Sequence, residues 1–144
     1  MSRETPDYHD ADLVIRLYEL RREAVMRASR DAINGSFLPR TYDELIAITA
    51  FEHPMNAAFR QVSTYWEMVF GMARHGIAHA DYLIENNAEG LLLFAKVAPH
   101  LERFRKDRVP TAFQNAEWVA RETAVGRQRM QMFSKRIEAQ LAAK

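Results

Sequence analysis

Between Met55 and Ala73 the apolar residues Met55, Ala58, Phe59, Val62, Tyr65, Trp66, Val69, Phe70 and Ala73 recur at helical spacing. Steps of three and four place them in one wide stripe on a helix, broad enough to be buried on two sides. A strand would need alternation at every second residue, and no stretch of the chain shows it. This stripe constrains the fold more than any other feature, because a helix with so wide an apolar face needs other helices around it.

Those helices can be read from the rest of the chain. Leu13, Leu17, Leu20, Ala24 and Ala28 continue the same periodicity, with arginines on the remaining surface. They predict a first helix to about Asn34, stopped by Asn34-Gly35. Asp10 or Asp12 can cap its start, and residues 1–9 form a flexible arm. Thr41 and Glu44 fit a capping box ahead of a short helix, about 42–51. His53-Pro54 interrupts it, and the wide-striped helix follows, about 54–74, with Gly76 as its stop. A short segment after His79 ends at Asn86-Asn87. A further long element spans about 88–108 and is kinked or broken at Pro99. The last helix is expected over about 111–142, with Val119, Thr123, Gly126, Met130, Phe133, Ile137 and Leu141 on one side. Gly126 there costs about 1 kcal/mol relative to alanine and can let a neighbour pass closely. The expectation is a single all-α domain, a helical bundle of about four long helices plus two short ones.

Composition narrows the function classes. The 144 residues contain no cysteine, which excludes disulfides and thiolate chemistry. A net charge of +1 gives no bulk attraction to nucleic acid or anionic membrane. The polar N-terminus has no secretory h-region, and the run Leu91–Ala95 stops at Lys96, far short of about 20 apolar residues for a span. A cytoplasmic protein without membrane contact is expected.

The stretch "TYWEMVFGMARHGIAHADYLIENNAEGLLLFAKVAPHLERFRK", about a third of the chain, resembles the DUF4760 family of uncharacterised bacterial helical proteins. The shared features are an aromatic-acidic helix, a basic-Gly-Ile turn, an acidic "DYL" start and an apolar helix ending in P-x-L-x-x-x-R. The resemblance implies a small helical protein and carries over no catalytic residues.

Within that stretch His75, His79, Asp81 and Glu85 are the candidate metal ligands. Two histidines four apart evoke H-E-x-x-H, but Gly76 stands where that motif has its general base. A helix corner accounts for the same residues: His75 near one C-terminus, Asp81 near the next N-terminus. Glu67, set among apolar residues, is a candidate for a buried carboxylate with a raised pKa. There is no Glu-x-x-His for a di-metal bundle, no phosphate loop and no nucleophile elbow. No catalytic residue and no cofactor is therefore expected. Arg121, Arg127, Arg129, Lys135 and Arg136 make the last helix locally basic, which leaves a nucleic-acid-linked role as an alternative. Trp118, Met130, Phe133 and Ile137 are the interface candidates. The reading that covers most of these observations is a helical module that works through protein contacts as a homo-oligomer or with a protein partner.

Overall fold

A computed structural model describes residues 4–143. It is all-helical there, and no strand occurs among the described residues. The elements are α1 (Tyr8–Arg22), α2 (Ala24–Ser36), α3 (Tyr42–Ile48), α4 (Asn56–Arg74), α5 (Ala80–Glu85), α6 (Gly90–Val97), α7 (Leu101–Asp107), α8 (Gln114–Glu122) and α9 (Ala124–Ala142), with a 3-10 turn at Ala98–His100.

The arrangement is built around α6, all eight residues of which are buried. A helix apolar on every side must be enclosed. Here α9, α8, α4 and α2 pack against it. The wide stripe of α4 is spent mainly on α2 and α8, with further contacts to α5 and α6, and Val62, Val69 and Phe70 are almost wholly removed from water. Burying such side chains stabilises by about 1.5–3 kcal/mol each before the entropy of ordering is counted.

Two helices expected to be continuous are divided. The first breaks at Glu23, whose backbone leaves the helical region at φ −59°, ψ 141°. Its carboxylate accepts the Met26 amide at 2.9 Å and so caps α2. The last breaks at Thr123, which is extended at φ −114°, ψ 145° and accepts the Gly126 amide at 2.9 Å. Each break lets both halves press an apolar side inward, which one straight helix of that length could not do around a small core.

Several boundaries are also corrected. Asp7, rather than Asp10 or Asp12, caps α1, and Asp10 answers it by accepting the Asp7 amide at 2.8 Å. The expected arm is therefore shortened: Tyr8 and His9 are helical, and residues 1–3 lie outside the described residues. Gly35 stays within α2, which ends at Ser36. Only half of the Thr41 box forms, because Glu44 accepts the Arg40 amide instead of that of Thr41. Pro99 does break its helix, into α6, the 3-10 turn and α7. Gly76, at φ 73°, does stop α4. The amides of Gly76 and Ile77 return to Ala73 and Met72, the pairing of a Schellman motif.

Candidate functional site

The corner from His75 to Glu85 does not assemble a ligand set. His75 ends α4 at the surface, and Asp81 and Glu85 are exposed on α5. His79 is the N-cap of α5: its Nδ1 accepts the Tyr82 amide at 3.1 Å. That role puts the ring proton on Nε2, which lies 3.3 Å from the Glu4 carbonyl and can donate to it. The His79 amide donates to Asp10 Oδ1 at 2.9 Å, tying the start of α5 to the start of α1. Both ring nitrogens are thus committed. Among the described residues no group of three or more His, Asp or Glu side chains is placed to hold a metal ion.

Glu67 has a structural task that the sequence does not disclose. Phe113, the residue before α8, sits in the left-handed region at φ 58° and offers no side-chain cap. Glu67 supplies the cap from α4, accepting the amides of Asn115 at 3.1 Å and Ala116 at 2.9 Å. Asn115 Nδ2 donates back to the Glu67 carbonyl at 3.0 Å. A carboxylate at a helix N-terminus meets both unpaired amides and the positive end of the dipole. Burial nevertheless pushes the Glu67 carboxyl above its usual range, against the downward pull of these amides.

The interface candidates divide. Phe133 and Ile137 are buried in the core, where they serve this chain's own packing, while Met130 and Trp118 are half-buried beside it. The basic residues of α9 are partly engaged within the chain. Arg127 donates to the Arg121 carbonyl at 2.8 Å, and Arg136 lies over the Phe133 ring.

Two features stand out at the α1–α2 corner, and neither was singled out from the sequence. The first is the outer side of α1, directly opposite buried Leu17. Tyr8, Asp12, Ile15, Glu19 and Arg22 follow one another there at steps of four and three, and all are exposed, Tyr8 at 82% and Ile15 at 58%. The buried side anchors the helix through the Leu17 side chain and through the Leu17 carbonyl, which accepts the Tyr65 hydroxyl at 2.8 Å.

The second is a cleft of about 410 Å³ between this corner and the α5–α6 turn, lined by Arg21, Arg22, Arg27 and Arg30 together with Asn87 and Glu89. Arg30 binds Glu89 with two donors, at 2.8 and 2.6 Å, and Asn34 adds a third bond to the same carboxylate at 3.1 Å. Burial alone would raise the Glu89 carboxyl, but Arg30 and Asn34 outweigh it and hold the group below its usual range. Arg27 and Arg30 also donate to the carbonyls of Arg22 and Arg21, at 2.9 and 3.2 Å, so α2 satisfies the open C-terminal end of α1. Arg21 donates to Asn87 and lies against the rings of Tyr18 and Trp66. The arginines of a predicted solvated helix surface converge here because the Glu23 break folds α2 back beside α1.

Among the described residues no helix is long and apolar enough to cross a membrane. A family model described as a domain of unknown function (DUF4760) matches residues 7–123, from the cap of α1 to the residue that caps α9. No curated protein and no solved structure matches the chain.

Proposed function

We propose that this chain, which belongs to the DUF4760 family, is a non-catalytic interaction module that pairs with a second copy of itself through the outer side of α1. The observation that carries the reading is the exposed seam Tyr8–Asp12–Ile15–Glu19. Its four-and-three spacing is that of a helix–helix contact. Two copies laid antiparallel about Ile15 set Ile15 against Ile15, with Asp12 and Glu19 of the two copies at the solvated rim. A two-fold contact uses the same patch on both partners, as a seam centred on Ile15 does. Most of the stripes of α4 and α9 is consumed inside the chain, whereas α1 keeps Tyr8, Ile15, Tyr18 and Leu20 exposed.

Light scattering on the purified chain across a concentration series tests this. A mass twice the 16.7 kDa of the chain is expected, returning to 16.7 kDa in Ile15→Glu. A single-chain mass for the unaltered protein at the highest concentration overturns the reading.

A further inference from the structure

We propose that the cleft at the α1–α2 corner binds a phosphoryl group on a small-molecule ligand, gripped by Arg21, Arg22 and Arg27. This inference does not depend on self-association. Four guanidiniums line the cleft against two carboxylates, Asp31 and Glu89. One of the four is accounted for, since Arg30 is paired with Glu89 through two donors. The other three make no salt bridge with a carboxylate among the described residues. Arg21 donates to the neutral oxygen of Asn87. Arg27 donates once, to a backbone carbonyl. The Arg22 guanidinium makes no hydrogen bond among the described residues and rests on the Tyr18 ring.

Helix capping explains one donor of Arg27 and one of Arg30. It leaves Arg22 with only a ring contact, and Arg21 with one bond to Asn87 and two ring contacts, so that many of their N–H groups remain for a ligand beside the cavity. Four guanidiniums against two carboxylates leave the cleft with an excess of positive charge, and a tetrahedral dianion relieves that repulsion while accepting several charge-assisted bonds. The shape agrees: about 410 Å³ falls in the range of small-ligand pockets. Tyr18, half exposed at the cleft, offers a flat ring on which the organic part of a phosphate ester can lie. A mononucleotide combines the two features, a phosphate for the arginines and a planar ring for Tyr18.

Titration calorimetry of the full chain with inorganic phosphate, pyrophosphate and adenosine monophosphate tests the assignment. Binding is expected, tightest for the nucleotide, and weaker by about tenfold in each of Arg22→Gln and Arg27→Gln. Arg103→Gln, on α7 and paired with Asp107, is expected to bind as the unaltered chain does. Thermal melts of all three variants establish that they fold. Absence of binding for all three ligands up to about 10 mM overturns the proposal. So does binding that the two cleft variants leave unchanged in the folded protein, or binding of a phosphoserine peptide with none of the small phosphates bound.

Discussion

Trp66 lies so close over Gly90 that a Cβ at residue 90 would sit 2.5 Å from the indole Cγ and Cδ2. The first residue of the central helix is glycine because α4 passes it at the distance of a hydrogen atom. Gly90→Ala therefore forces either Trp66 or the start of α6 to move, at a cost of about 1–3 kcal/mol in denaturant unfolding. The coupling is checked by a double-mutant cycle: Trp66→Ala is expected to cost less in the Gly90→Ala background than alone, because the cavity it opens receives the new methyl group. Additive costs would place the strain elsewhere.

Two half-buried carboxylates are expected to act on stability with opposite signs of pH dependence. Glu67 is raised above 4.5 by burial, so its contribution is fully present below that value and declines as pH rises through the higher, folded-state pKa. Glu89 is lowered below 4.5 because Arg30 and Asn34 outweigh burial, so its contribution is present above 4.5 and is lost as pH falls through the lower value. Urea unfolding from pH 3 to 8 reads both. The stability of the unaltered chain relative to Glu67→Gln should fall with rising pH, and relative to Glu89→Gln it should rise. Each glutamine also loses a charge-assisted bond worth about 1.5–3 kcal/mol or less at these half-exposed sites.

Lys96, buried at 4% exposure within α6, donates to the carbonyls of Ile33 at 3.0 Å and Asn34 at 3.1 Å. It closes the C-terminal end of α2 from inside the core. Burial, aided by nearby Arg136, holds its ammonium down to about 8 from an ordinary 10.5. Between those values the folded chain has released a proton that the unfolded chain retains, so stability rises with pH through that window. Lys96→Met removes the titration. The difference between the two proteins should shift in favour of the lysine form by on the order of 2 kcal/mol from pH 8 to pH 10.5, and a flat difference would contradict the assignment.

At the α8–α9 corner, a Cβ on Gly126 would lie 2.0 Å from the Val119 carbonyl oxygen and 2.5 Å from Thr123 Oγ1. Both atoms belong to the cap, since Thr123 donates to Val119 at 2.8 Å and accepts from Gly126. Gly126→Ala is expected to destabilise by about 1–3 kcal/mol, against the gain of about 1 kcal/mol that the same change brings inside an ordinary helix. Thermal melting distinguishes the two directions.

The helices themselves were legible because burial imprints a period of three to four residues whatever the neighbours are. Gly76, Pro99 and Asn86 marked their ends, since conformational preference is a property of the residue itself. The glycine at 126 signalled a close approach, although what approaches is the end of α8. Thr123 carried a usable signal, a capping residue with glycine three positions on, which the surrounding stripe masked. The Glu23 break carried none, because "RREAV" contains no residue that disfavours a helix. Phe133 and Ile137 read as interface candidates although such spacing more often marks core, since a stripe reports only that water is excluded, not by what.

By itself, then, the sequence determined an all-α chain, the wide apolar stripe of α4 and the positions of most helix ends, all consequences of short-range sterics and periodic burial. The tertiary structure alone decided which polar groups meet. Glu67 caps a helix that begins 47 residues later in the chain, and Arg30 finds Glu89 rather than a neighbour on its own helix. The arginines of α1 and α2 share one cleft because the chain turns at Glu23. Such contacts depend on how two backbones are brought together, and no local pattern of residues encodes that approach.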